Sequence, residues 1–353
     1  MKLIKILLSL LLTITCTSCG TVNNELTLWN QDGVISELVE YVDDVTNRLS
    51  SNYIDEEDRI AVFDLDGTLI CEQFPIYVEW LMFAYRVLGD ETYTNQTPEQ
   101  IELAYRILNA GVNKNIAEDI EEKEFEMFGS LFEGMSIEEY NEYVLNFLDK
   151  QADGFDGLKF CEAYYKPMVE VVNYLENNGF TVYVVSGTDR SFDRIMVSYF
   201  LDISSNHVIG SDYYTEGSKH TGEYYLDYQL DSDETLVRTG NRIIKDVKSS
   251  KAVQIAQEIG KKPVLAFGNS TGDYSMFTYV TYNNEYKSIA FCIVPDDDER
   301  EYANMPKVES LTKTCDENGW HVVSMKDDFL TIYGNDIKKN SDNLSFVNSL
   351  LNK

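Results

Sequence analysis

The chain has 353 residues, 44% of them apolar, and a formal net charge of −31. That length buries a full core as one large domain with an insertion or as two domains, and the composition excludes a disordered chain. The negative charge excludes nucleic acid and anionic lipid headgroups as partners, and an anionic substrate would need a local cation to approach.

In chain order, Lys2 and Lys5 flank an apolar stretch, Leu3 to Ile14, too short to span a bilayer and shaped like the apolar region of a signal segment. It ends in Cys16-Thr-Ser-Cys19-Gly, which resembles a bacterial lipobox. Residues 1–18 are therefore expected as a signal segment, with Cys19 as the lipidated residue of an exported, membrane-anchored protein. An ordinary cleaved secretory signal is the alternative. The stretch 19–55 reads as a polar tether, residues 20–33, followed by a helix whose apolar positions (Val34, Leu38, Val42, Val45, Leu49) recur at helical spacing.

A strand follows at Arg59–Leu65, and its end is charged: Asp64-Leu-Asp66-Gly-Thr68. Unpaired carboxylates at the end of a buried strand are costly to desolvate, so a cation belongs there. From residue 73 to 159 the pattern turns helical, with segments at 77–85, 98–108, 117–132 and 137–148, which predicts an inserted α-helical subdomain. Alternation of helix and strand then resumes through Phe180–Val185, His207–Gly210, Pro263–Phe267 and Ile289–Val294, with a Tyr-rich antiparallel excursion at 211–247. Residues 56–72 and 160–353 are thus expected to form an α/β core around a parallel, Rossmann-like sheet.

In such sheets ligands bind beyond the carboxyl ends of the strands. There the sequence places Asp64 and Asp66, then Ser186-Gly187-Thr188, whose hydroxyls and N–H groups suit phosphate oxygens, then Gly268-Asn269-Ser-Thr-Gly-Asp273. Lys251 stands at the start of the helix leading into the last of these, with Lys248 and Lys245 as nearby alternatives. The three histidines (207, 220, 321) are scattered, which argues against zinc.

Acid pair, hydroxyl, lysine and acid in this order resemble the four motifs of the haloacid dehalogenase-like (HAD) phosphohydrolase superfamily, over roughly residues 58–335. The insertion is similar in position to the helical C1-type cap of phosphoserine phosphatases. With Asp298–Ala303 and Gly319–Lys326, the chain looks similar to exported phosphorylcholine phosphatases. The resemblance implies a Mg²⁺-dependent phosphomonoesterase working on a small phosphorylated substrate. Asp64 would be the nucleophile and Asp66 the acid/base; Thr68, Ser186, Gly187 and Thr188 would bind the phosphoryl group and Lys251 would neutralise charge. Asp64, Asp66, Asn269 and Asp273 would hold the metal. Asn269 stands where the family often has an acid, which gives Asp273 more weight. Phosphotransfer to an alcohol and a non-catalytic surface binding module are the competing readings.

Glu72 could face a substrate ammonium, or simply be an exposed hinge residue. Tyr77, Trp80 and Tyr85 suggest either an aromatic cage for a cation or a helix face packed into the cap core. Cys71 and Cys161 lie at the entry and exit of the insertion and are a candidate disulfide. Oligomeric state is left open.

Overall fold

The computed structural model describes residues 25–353 apart from 73, 114 and 223–226. The expected signal segment and Cys19 lie outside the described residues. The core is a seven-stranded sheet. Its strands are β1 (Ile60–Phe63), β3 (Thr181–Asp189), β4 (Val208–Gly217), β5 (Leu236–Ile244), β6 (Leu265–Gly268), β7 (Ile289–Val294) and β8 (His321–Ser324). A short β2 (Phe155–Asp156) pairs with β9 (Lys338–Lys339) apart from it. The order is β5-β4-β3-β1-β6-β7-β8, parallel throughout except for β5, which runs antiparallel to β4 as a hairpin partner.

Strand residues alternate between two apolar layers, the period-2 rule of a sheet covered on both faces. On β1, Ala61 and Phe63 join the larger layer and Val62 the smaller. Phe63, Phe267 and Phe291 sit in register across β1, β6 and β7 and stack at 4.6 and 4.9 Å between ring centres. The helices α8 (Ser249–Glu258), α9 (Tyr274–Thr281) and α10 (Met305–Asn318) cover the smaller layer. The larger layer takes α1 (Ile35–Thr46), α6 (Lys166–Asn177) and α7 (Arg190–Phe200). The strand β8 and helices α9 and α10 carry no expectation from the sequence, because their apolar periodicity is short or weak.

Between β1 and β3 lie α2 (Val78–Ala84, continued by one wide turn to Gly89), α3 (Pro98–Asn113), α4 (Ile120–Leu131) and α5 (Ile137–Leu148). Helix α5 opens on a capping box: Ser136 accepts from the Glu139 N–H while Glu139 accepts from the Ser136 N–H. The helical segment meets the sheet edge at β5, where backbone bonds join Gly134 to Arg238 and Arg238 to Met135.

Two stretches depart from expectation. Residues 25–33 do not hang as a tether: Leu26 and Trp29 are buried, and the Trp29 indole donates to the Pro167 carbonyl at 2.9 Å. The chain's end returns to the helical segment through β9 and α11 (Ser345–Leu351). Asp153 accepts from the N–H groups of Phe346 and Val347, and α11 packs on α3. Cys71 and Cys161 are free thiols. Their two linkers do run side by side, but the Cys71 N–H pairs with the Ala163 carbonyl, two residues out of step for a bridge.

Candidate active site

The strand β1 stops because Asp64 takes its last sheet bond, donating from its N–H to the Phe267 carbonyl at 2.9 Å. The chain then folds into a tight turn in which Leu69 and Ile70 donate back to the Leu65 carbonyl. Gly67 has φ +77°, and a Cβ there would meet the Asn269 amide at 1.8 Å, so only glycine lets the turn approach the loop after β6. This geometry puts Asp64 and Asp66 into a cavity of about 270 Å³.

Lys251, in the first turn of α8, is buried and reaches under the pair. Its Nζ donates to Asp64 Oδ1 at 2.5 Å and to Asp273 Oδ1 at 2.7 Å. Burial opposes its charge, but the carboxylates of Asp273 and Asp64 outweigh that and hold the ammonium above its usual pKa. Lys245 instead donates to the Gly187 carbonyl, while Lys248 lines the same cavity. Burial, with the charge of Asp273, pushes Asp64 up to about 7 against the pull of Lys251. Burial likewise pushes Asp66 up to about 7; the Thr188 hydroxyl, donating to Asp66 Oδ2 at 3.0 Å, pulls it down, and Glu79 pushes it up.

Asn269, Gly187, Thr188 and Glu72 line the cavity as expected from sequence. Thr68 and Ser186 do not. Both are fully buried behind the wall: the Thr68 hydroxyl sits 3.4 Å from Asp64 Oδ2, and Ser186 Oγ accepts from the Thr188 N–H within the irregular end of β3. Asp273 is also behind it. One oxygen takes Lys251 and the other accepts from Asn269 N–H, Ser270 N–H and the Ser270 hydroxyl, which leaves it poorly placed as a metal ligand.

The donor set suits a small hard cation. Asp64 and Asp66 stand at one strand end, Asn269 lines the same cavity, and one lysine does not fully answer the acids. Among the described residues no group of three or more His, Cys, Asp or Glu is arranged to hold a metal. Substrate oxygens, backbone carbonyls and waters would complete a magnesium shell, which that ion commonly requires.

Other wall residues come from the helical segment. Tyr77 and Trp80 face the cavity, edge to face at 5.2 Å, whereas Tyr85 packs toward Phe147 and Phe346. The three aromatics thus do not form one cage. Glu79, buried, accepts from the Asp189 N–H at 2.7 Å and ties α2 to the end of β3; burial and Glu124 push its carboxyl well above the usual range. Glu72 is held by Lys307 of α10, whose Nζ donates to both carboxylate oxygens at 2.6 and 2.7 Å. Glu79 is not singled out from the sequence; its only local signal is an isolated acid in an apolar helix. Nothing local signals Lys307, 235 residues from its partner.

A mostly parallel α/β sheet thus carries an acid pair at its carboxyl edge, with a lysine beneath it and a helical insertion above. The model of the haloacid dehalogenase-like hydrolases matches residues 61–278, and the chain belongs to that family. No curated protein sequence matches it significantly. A protein of unknown function from Anaerococcus prevotii DSM 20548 is similar in structure, at 13% identity and TM-score 0.52, with 82% of this chain and 91% of that chain covered. A second, from Bordetella pertussis Tohama I, has 14% identity and TM-score 0.48, covering 75% and 97%. A phosphoserine phosphohydrolase-like protein from Francisella tularensis has 17% identity and TM-score 0.39, covering 75% and 94%. At 13% identity the likeness to the Anaerococcus protein speaks to fold alone, and nothing is drawn from the other two.

Proposed function

We propose that the chain is a phosphomonoester hydrolase working through an aspartyl-phosphate. The observation that carries this is the Lys251 bridge between Asp64 and Asp273, which takes Oδ1 of the cavity-lining Asp64 and leaves Oδ2 with only the long Thr68 contact. Such an oxygen is a nucleophile held in one orientation, with its charge partly balanced.

Asp64 attacks phosphorus, its Oδ–P bond forms and the bond to the ester oxygen breaks. Asp66, near 7 and so part-protonated at neutral pH, gives its proton to the departing alkoxide. It then takes a proton from water as that water attacks phosphorus, which releases inorganic phosphate and restores Asp64. Gly187 and Thr188, in the irregular end of β3, and Lys251 hold the phosphoryl oxygens. Magnesium, held by Asp64, Asn269 and the Asp66 carbonyl, would neutralise phosphoryl charge.

The test is phosphate release from a panel of monoesters, with and without Mg²⁺, by the wild type and by Asp64→Asn. The variant is expected to lose at least 10³-fold in kcat, on the order of 4 kcal/mol of barrier. Undiminished release by Asp64→Asn would overturn the mechanism. The proposal includes export and a lipid anchor at Cys19, supported by the residue pattern of the N-terminus. Labelling with a radioactive fatty acid that persists in Cys19→Ala would refute the anchor.

A further inference from the structure

A second cavity, of about 520 Å³, opens beside the first and shares Glu72 and Asn269 with it. One wall comes from the helical segment, with Phe74, Ala110 and Ile116, and the other from the stretch after β7, with Pro295, Tyr302 and Met305. Phe74 and Tyr302 lie face to face at 3.6 Å and join the walls. Ile116 and Met305 are 40% and 57% exposed and line the cavity with apolar surface.

The two cavities differ in chemistry. The first carries Lys245, Lys248 and Lys251 among five acids (Asp64, Asp66, Glu72, Glu79 and Glu121), and these lysines are the cations that an anion can meet. The second has no lysine or arginine among its described lining residues. Its acids are already answered by the protein. Glu301 is buried and accepts from the Tyr302 N–H and the Tyr333 hydroxyl. Glu72, at the junction, is held on both oxygens by Lys307. A substrate ammonium would have to displace that lysine, whereas an uncharged chain passes the pair without disturbing it.

We propose that the second cavity receives the leaving group of the phosphomonoester, and that this group is an uncharged alkyl or aryl chain and not an ammonium-bearing one. This rests on the hydrolase reading above and names its substrate class. The volume lies within the range of sites that enclose small organic groups. Each methylene drawn from water into an apolar wall favours binding about fourfold.

The experiment uses the full chain in two arms. Calorimetry compares hexylphosphonate with methylphosphonate, and turnover compares hexyl phosphate with phosphocholine. Hexylphosphonate is expected to bind at least tenfold more tightly, and hexyl phosphate to have at least tenfold higher kcat/KM. Ala303→Trp, which fills the cavity, and Met305→Lys, at an exposed position that disturbs folding least, should each cut the hexyl-to-methyl affinity ratio at least threefold. Equal affinity for the two phosphonates, preference for phosphocholine, or an unchanged ratio in both variants would overturn the assignment. Selective hexylphosphonate binding with no phosphate release sustains the cavity assignment and refutes hydrolysis. Release without chain-length preference does the reverse.

Discussion

Lys251→Met keeps the side chain's bulk and removes its charge at the centre of the site. The wild-type ammonium makes two charge-assisted bonds, at 2.5 and 2.7 Å, to carboxylates that are 7% and 0% exposed. Without it, Asp64 and Asp273 face each other buried and uncompensated. Breaking a buried pair from one side costs about 3–5 kcal/mol, mostly the penalty of the stranded charge. The expected loss is therefore about 4 kcal/mol at pH 7.5, a fall of roughly 1 M in the urea midpoint for a slope near 3–4 kcal/mol/M. Burial has already raised Asp64 to about 7 with the lysine in place. Without the lysine its folded pKa rises further, so the stranded carboxylate takes up a proton and the deficit shrinks as pH falls toward 5. Adding Asp273→Asn removes the repulsion and should restore at least about 1 kcal/mol. Urea titrations at pH 5 and 7.5 measure all of this. A Lys251→Met protein within about 1 kcal/mol of wild type at pH 7.5 would refute the reasoning.

Glu301 provides a pH test away from the acid pair. Burial pushes it up to about 7, with Tyr333 and the Tyr302 N–H pulling down, Lys339 also lowering and Asp297 raising it. The folded state therefore keeps a proton that the unfolded chain loses near 4.5, and stability falls as pH rises through that window. By pH 8 the charge costs about 2–3 kcal/mol, so Glu301→Gln should gain on wild type between pH 5 and 8; parallel stability curves would contradict this. Gly67→Ala places a Cβ at 1.8 Å from the Asn269 amide at φ +77°, and is expected to cost about 2–4 kcal/mol and most activity; an unchanged melting temperature would count against the turn geometry. Alkylation followed by mass spectrometry should recover Cys71 and Cys161 as thiols; a peptide joining them would overturn the observed register.

The parallel core was legible because its signals are local. Four buried residues, Ile60 to Phe63, run straight into two carboxylates, and the same change from apolar to small and polar residues recurs after Val185, where the structure continues β3 to Asp189, and after Phe267. Such transitions need no partner to be seen. Lys251 stood out for the same reason, as a cation at a helix start. The helical insertion showed in four segments with almost no strand-like pattern among them.

What escaped the sequence depends on which side of a turn each group faces. Thr68, Ser186 and Asp273 are the residue types a phosphate or metal site uses, yet their oxygens are taken up behind the wall, by the Asp64 carboxylate, the Thr188 N–H, and Lys251 with the Asn269 N–H. Side-chain direction at a turn is set by packing against other elements, and composition does not encode it. The pairing of Glu72 with Lys307, the docking of Trp29 under Pro167 and the return of α11 to α3 join positions 235, 138 and more than two hundred residues apart. The acid pair and the strand ends around it follow from the sequence by itself, because each is written in contiguous residues; the sequence narrows the lysine to a short stretch, and the fold selects Lys251 by bringing it to Asp64 across 187 residues. Which of the remaining oxygens face the cavity, and which cation holds Glu72, only the tertiary structure decides, because those contacts exist only once distant segments pack.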